Sequence, residues 1–220
     1  MALEKGKVIS KHIGGEVPDN PFGRAESEGG VRRSLVKRGE GKGRIPVGKG
    51  LDRDFLLVVK SPAMFSALLP VLVKRFPAYA IVRNPLSVLA SWNSIDHKPL
   101  GGHAPAAERY DGRLREALAS ITDDRERQLY ILSWWYGRFD RDLPDDSVIR
   151  YEDIVGSGGR ALSAVTPAAG ILDEPLLSRN RNPLYDRERM LRLGERLLQT
   201  EGAYWRFYAR ESVEELLTTL

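Results

Sequence analysis

The stretch FLLVVKSPAMFSALLPVLVKRFPAYAIVRNPLSVLAS, residues 55–91, contains two short apolar runs that each end on a cation. FLLVV is followed by Lys60, and YAIV is followed by Arg83. A continuous apolar run of this length is typical of a strand buried on both faces, and the helical pattern between the runs predicts a βαβ unit with two parallel strands. The sequence therefore predicts an α/β fold built on a parallel sheet.

The two cations are expected at the same edge of that sheet. In open α/β sheets, ligands bind outside the carboxyl ends of the strands, so Lys60 and Arg83 are predicted to face an anionic ligand. Asn84 is predicted as the N-cap of the following helix and Pro85 as its first residue, which directs free backbone N–H groups towards the same place. Ser91 follows Arg83 by eight residues, or about two helical turns.

Two motifs carry a resemblance to a known family. A strand-ending lysine, then FP, an apolar strand and R-N-P-x-x-x-x-x-S resembles the second βα unit of sulfotransferases that use 3'-phosphoadenylyl sulfate (PAPS). Further on, VIRYEDI at residues 148–154 is similar to the V-x-R-Y-E-D-L segment of that family. The resemblance covers roughly residues 55–170 and implies a three-layer α/β/α fold with a parallel sheet, P-loop NTPase-like and of sulfotransferase type.

The resemblance also implies roles for individual residues. Arg83 and Ser91 would hold the 3'-phosphate of the nucleotide, and Tyr151 would lie near the adenine. A C-terminal basic loop often closes over the 3'-phosphate in this family, which makes Arg179 and Arg181 candidate ligands.

Each of these residues also has a purely structural interpretation. Lys60 is placed to neutralise the phosphosulfate or its leaving oxygen, but its structural interpretation is a solvated lysine at the end of a strand. The structural interpretation of Arg83 is an ion pair at the cap of the following helix. Ser91 is equally well a plain helix hydroxyl, and Tyr151 a core tyrosine. Arginines in an exposed loop are usually solvated.

The expected function is transfer of a sulfuryl group from PAPS, as co-substrate, to a hydroxyl or amine of an unidentified small molecule or carbohydrate. The family begins with a strand and a loop similar to R-S-G-T-T, and no such segment precedes Phe55, so the first βα unit is expected to be missing. The alternatives are a non-catalytic protein that binds a 3'-phosphoadenosine nucleotide or another partner, and an inactive truncated fragment. A further alternative is a homo-oligomer in which another copy of the chain completes the sheet.

A general base is the least determined part of the predicted site. His97 and His103 fall in the Gly- and Pro-rich segment 95–111, where a substrate-gating loop is expected, and both are weak candidates. His12 lies far upstream. Three scattered histidines and no cysteine predict no metal site and no disulfide.

Composition bounds the remaining possibilities. The chain has 220 residues and no apolar window of the length that spans a membrane, so a cytoplasmic protein without a membrane partner is expected.

Residues 1–50 carry 11 Lys or Arg against 6 Asp or Glu and many glycines. We therefore divide the chain into a flexible basic segment, 1–54, and a nucleotide-binding domain, 55–220. The segment GEGKGRIPVGKG, residues 39–50, lacks the spacing of a phosphate loop, and without interleaved aromatic residues no nucleic-acid partner is expected.

Overall fold

The computed structural model describes residues 3–4, 7–10, 43–46, 53, 55–95 and 98–219. Three short strands in the N-terminal part form an antiparallel sheet in the order β1 (Leu3–Glu4), β2 (Lys7–Ser10) and β3 (Gly43–Pro46). Most of the predicted flexible segment, including most of residues 39–50, lies outside the described residues. The division of the chain at residue 54 therefore stays a prediction.

A second sheet contains two parallel strands, β4 (Ala80–Val82) and β5 (Val148–Arg150), in the register Ala80↔Val148 and Val82↔Arg150. The apolar run YAIV predicts β4, and the α/β class is confirmed. Parallel strands need a crossover connection, which helices between residues 85 and 142 supply. Because the strands run in the same direction, Arg83 and Tyr151, which directly follow them, emerge at one edge.

The predicted buried strand at residues 55–59 is wrong. These residues form no strand, and they are 41–68% exposed, from Phe55 to Val59. An apolar run becomes a buried strand only where a neighbouring strand pairs with it and helices cover its faces. Within the described part of the chain β4 pairs with β5 alone, so the expected pairing of FLLVV with YAIV is not formed.

Most of the described chain is helical, and several helix starts follow from local sequence. Asn84 caps α2 (Pro85–Asn93) by accepting a 3.1 Å hydrogen bond from the Leu86 amide at Oδ1, with Pro85 as first helical residue, as predicted. Asp123 caps α5 (Asp124–Asp142) and Asp186 caps α7 (Arg187–Leu198) in the same manner. The remaining helices are α1 (Pro62–Leu72), α3 (Pro105–Glu108), α4 (Gly112–Ser120), α6 (Tyr151–Gly156) and α8 (Glu211–Thr218).

The main core lies where α2, α5 and α7 meet beside β4. Leu89 of α2, Leu132 of α5 and Leu197 of α7 are completely buried there. Trp92 and Trp135 pack edge to face against this cluster, with ring centroids 5.2 Å apart. This packing fixes α2 and α5 relative to the sheet, and with them the residues that surround Arg83.

No helix among the described residues combines the length and the apolar character needed to cross a bilayer.

Candidate functional site

The backbone of Arg83 is held by a tyrosine of the long helix α5. The hydroxyl of Tyr136 donates a hydrogen bond to the Arg83 carbonyl, and the Arg83 amide donates to the same hydroxyl at 3.3 Å. Tyr136 is only 3% exposed, and this burial raises the pKa of its hydroxyl far above the ordinary value. The hydroxyl therefore stays protonated, and the end of β4 is fixed through both backbone polar groups of Arg83.

The guanidinium of Arg83 is in turn held by a loop almost one hundred residues away in sequence. Its Nε donates to Asn180 Oδ1 at 2.7 Å, and its Nη2 donates to the carbonyl oxygen of Arg179. The guanidinium carbon lies 4.9 Å from the ring centroid of Tyr151. Both acceptors are neutral, so the positive charge of Arg83 is oriented without being neutralised by them.

Tyr151, the first residue of α6, also supports this loop. Its hydroxyl accepts a 2.9 Å hydrogen bond from the backbone amide of Arg179. The structure thus brings together Arg83, Tyr151 and Arg179, three residues that the sequence predicts for one site. Their roles as ligands stay a prediction.

A carboxylate joins the loop to the sheet and to the C-terminal region. Glu152 Oε1 accepts hydrogen bonds from the Asn84 amide at 3.1 Å and from Asn180 Nδ2 at 2.7 Å, while Oε2 accepts from the Tyr208 hydroxyl at 2.5 Å. Burial, together with the bond to Glu152, raises the pKa of Tyr208. We call Arg83, Tyr151, Glu152, Arg179 and Asn180 the Arg83 cluster.

Sequence reasoning missed the parts of the cluster that depend on tertiary packing. Tyr136, Glu152 and Asn180 are not among the residues that the sequence predicts for the site. A signal existed for the last two, because Glu152 directly follows Tyr151 in the Y-E-D segment and Asn180 lies between Arg179 and Arg181.

Arg181 extends the cationic surface beside the cluster. It lines a shallow cleft of about 220 Å³ together with Asn84, Glu152 and Asn180. The side chains of Arg179 and Arg181 are exposed and form no hydrogen bond or ion pair with any described residue. The same cleft is also lined by Arg150 and Glu215, so it carries two arginines and two carboxylates.

The other predicted residues are less closely associated with Arg83. Ser91, in the last turn of α2, is half-buried, and its hydroxyl makes no hydrogen bond within the described part of the chain. The serine of this helix that meets the loop is instead Ser87, which is fully buried and donates to the Asn180 carbonyl at 3.2 Å. Lys60 is exposed on the unpaired segment and bonds to none of the described residues.

His103 lies apart from the Arg83 cluster. Its Nδ1 is 3.5 Å from Glu108 Oε1, and its Nε2 is 3.5 Å from Arg127 Nη1. His97, like His12, falls outside the described residues. The described residues contain no group of three or more His, Cys, Asp or Glu side chains arranged to hold a metal ion.

Arg83 is the group of the cluster that could bind an anion. It donates to an amide oxygen and a carbonyl oxygen, and hydrogen bonds to an ionised acceptor are roughly twice as strong as those between neutral groups. An anionic ligand would therefore compete for the guanidinium. The first amides of α2 are already engaged, because the Asn84 backbone amide donates to Glu152 and the Leu86 amide donates to Asn84 Oδ1.

Comparison with known proteins gives no relative: no protein-family model, no curated protein and no solved structure matches the chain. The class that fold and site define is an α/β protein with an arginine-centred cluster at the carboxyl edge of its parallel strands.

Proposed function

We propose that the chain binds a 3'-phosphorylated adenine nucleotide at the Arg83 cluster and, with PAPS, transfers a sulfuryl group to a hydroxyl or amine of a small acceptor. The observation that carries this proposal is the convergence of Arg83, Tyr151 and Arg179. These residues come from separate segments and meet at one sheet edge, Arg83 and Tyr151 being predicted from two motifs and Arg179 from a basic loop.

In this proposal Arg83 forms two hydrogen bonds to the 3'-phosphate, and the ring of Tyr151 lies near the adenine. Arg179 and Arg181 close over the phosphate, and Ser91 approaches it from α2. Arginine suits the central role because its planar fork matches two oxygens of a phosphate. The parallel pair β4 and β5 belongs, in the same proposal, to a three-layer arrangement of P-loop-like, sulfotransferase type.

The transfer itself requires little covalent participation by the protein. The bond between sulfur and the phosphate oxygen breaks, a bond between sulfur and the acceptor atom forms, and the acceptor proton passes to a base. Charge spreads over the peripheral oxygens, as in loose phosphoryl transfer, so positioned cations lower the barrier. Lys60 is the candidate that stabilises the leaving oxygen, and His97 and His103 are the candidate bases.

A second function, nucleotide binding without turnover, is favoured by the position of Lys60. The Arg83 cluster is held by hydrogen bonds from several elements, whereas Lys60 is exposed and forms no hydrogen bond or ion pair with a described residue. The residues of the proposed binding site are thus held in position, and the proposed catalytic lysine is not bonded to them.

Calorimetry with adenosine 3',5'-bisphosphate and with 5'-AMP tests the binding proposal. We expect the bisphosphate to bind more tightly, and Arg83→Ala to weaken its binding by about 1.5–3 kcal/mol, the range for hydrogen bonds to charged groups. Arg113→Ala, which removes an exposed arginine of α4, is the control and should change little. Equal affinities for the two nucleotides would remove the basis of the assignment.

Incubation with labelled PAPS and a panel of phenols, sugars and amines separates the two functions. Transfer that Lys60→Ala abolishes supports the sulfotransferase. Tight binding of the nucleotide without labelled product supports the binding protein.

A further inference from the structure

A second cleft lies at the opposite end of α2 from the Arg83 cluster. It has a volume of about 350 Å³ and is enclosed by the end of α2, the first turn of α5, the exposed side of α7 and the turn Lys98–Gly101. We call it the α5–α7 cleft. The nine residues of α2 separate it from Arg83 by about 13 Å of helix. Its volume falls within the range of small-molecule sites, roughly 300–1,000 Å³.

A buried amide network holds the wall of this cleft in place. Gln128, which is 1% exposed, donates from Nε2 to the carbonyl oxygens of Pro99 at 2.8 Å and Leu100 at 3.0 Å. Its Oε1 accepts from Asn93 Nδ2 at 2.9 Å. Every polar atom of the Gln128 side chain thus has a partner, so the turn that carries Leu100 is attached firmly to α5.

The cleft combines an apolar floor with cations from two helices. Leu100 and Leu193 supply the apolar surface, and Arg125, Arg189 and Arg192 lie around it. Arg189 is fixed in direction, because its Nη1 donates to the Asn93 carbonyl at 2.9 Å. That acceptor is neutral, so the charge of Arg189 remains available to a ligand.

Two of the charged groups at the cleft are already compensated. Arg192 pairs with Glu188 at 3.2 Å, and Asp124 pairs with Arg127 at 3.2 Å. Arg125 forms no side-chain hydrogen bond or ion pair with a described residue.

The neighbouring acidic groups are engaged as well. Asp123 caps α5 through the amides of Arg125 and Glu126, at 2.8 and 3.0 Å, and Glu126 receives two hydrogen bonds from Arg196. Arg125 and Arg189 therefore form no ion pair with any described carboxylate, and the charge of Arg125 acts on Asp123 only through space.

We propose that the α5–α7 cleft binds a small amphipathic anion, with an aryl or compact alkyl body over Leu100 and Leu193 and a carboxylate, phosphate or sulfate group between Arg125 and Arg189. The apolar floor supplies affinity through area removed from water, and the two guanidinium groups select for negative charge. This site is separate from the nucleotide site and does not depend on it.

The test uses 2-naphthoate as probe on the full chain, with the neutral 2-naphthamide and inorganic phosphate as comparisons. Amide chemical shifts in ¹H–¹⁵N spectra locate the binding. We expect saturable shifts at Leu100, Arg125 and Leu193, weaker binding of the amide, and no comparable shifts with phosphate. Arg125→Gln combined with Arg189→Gln should weaken naphthoate binding about tenfold or more.

Arg187→Gln is the matched control, since it removes an exposed cation from α7 that does not line the cleft. If this variant weakens naphthoate binding as much as Arg189→Gln does, the anion is attracted by the overall positive charge of α7 and not by the cleft. The proposal then fails. It also fails if 2-naphthamide binds as tightly as naphthoate, or if the shifts map to residues 55–59 instead. Should Arg189→Gln unfold, Arg125→Gln alone gives the same test, because Arg125 is exposed and unpaired in the described structure.

Discussion

The guanidinium of Arg83 lies over the ring of Tyr151, with 4.9 Å between its central carbon and the ring centroid. The same tyrosine accepts a 2.9 Å hydrogen bond from the amide of Arg179, whose carbonyl accepts from Arg83. The three residues form a closed set of contacts across two strand ends and one loop. Tyr151 therefore orients Arg83 in two ways, directly through its ring and indirectly through the loop.

The two contributions of Tyr151 can be separated by substitution. Tyr151→Phe keeps the ring but removes the acceptor for the Arg179 amide, and we expect it to weaken adenosine 3',5'-bisphosphate binding by about 0.5–1.5 kcal/mol. Tyr151→Ala also removes the ring beneath Arg83 and should cost about 0.5–1 kcal/mol more. Calorimetry on both variants measures the difference. Equal losses would mean that the ring contributes nothing to the orientation of Arg83.

Tyr136 is predicted to stabilise the fold through its hydroxyl. Tyr136→Phe leaves the amide and carbonyl of Arg83 without these partners, and it should lower the free energy of unfolding by about 1–3 kcal/mol. Urea unfolding measures this loss. Tyr130→Phe on the same helix is the control, because Tyr130 is 41% exposed and its hydroxyl bonds to no described residue. Comparable losses in the two variants would argue against the proposed role of Tyr136.

Glu152 is predicted to keep the loop around Asn180 closed. Glu152→Ala leaves three hydrogen-bond donors, from Asn84, Asn180 and Tyr208, without their acceptor. Local opening of the loop should then be more frequent, and trypsin should cut after Arg179 or Arg181 about tenfold faster.

Cleavage after Arg141, which lies at the end of α5, provides the internal reference for this experiment. The rate of cleavage after Arg141 should be the same in the Glu152→Ala variant and in the unchanged protein. Acceleration at all three arginines would indicate global destabilisation, and unchanged rates at the loop would mean that Glu152 does not hold it. Glu152→Gln retains one oxygen acceptor and should show an intermediate effect.

The sequence predicted those features that depend on neighbouring residues. Asn84 and Pro85 start α2 because an N-cap acceptor and a proline at the first helical position act within one turn, and the structure confirms both. The strand at residues 80–82 follows in the same way from its apolar run. The shared edge of Arg83 and Tyr151 then follows from the parallel direction of β4 and β5.

What the sequence could not predict depends on contacts between distant segments. The apolar side chains of Phe55 and its neighbours favour a buried strand. They do not indicate whether a neighbouring strand is present to pair with it. The Tyr136 hydroxyl bonds to Arg83 although the two residues are 53 positions apart in sequence. Asn180, which also bonds to Arg83, is 97 positions away. Neither pairing leaves a signal in local spacing, because each is set by how α5 and the loop pack on the sheet.

Asp111 provides a test of how acid destabilises the helical part of the fold. It is 9% exposed and accepts hydrogen bonds from the Leu114 amide at 3.0 Å, from Trp134 Nε1 at 3.1 Å and from Arg138 Nη2 at 2.5 Å. Burial opposes ionisation, but these bonds outweigh it and hold the pKa of Asp111 below its ordinary value. Its carboxylate therefore stabilises the folded state above the pKa of the unfolded chain, and this stabilisation is lost as the pH falls through the folded pKa.

Asp111→Asn should accordingly be most costly at neutral pH. We expect a loss of about 1.5–3 kcal/mol in the free energy of unfolding at pH 7, because the charged acceptor of Arg138 is removed while the cap of α4 is retained. The difference from the unchanged protein should shrink below about pH 4, where the unfolded carboxyl group is protonated. Urea unfolding at several pH values measures it, with Asp173→Asn as control, since Asp173 pairs with Arg160 on the surface. A loss that does not depend on pH would mean that the shape of the Asp111 side chain, and not its charge, stabilises the contact between α4 and α5.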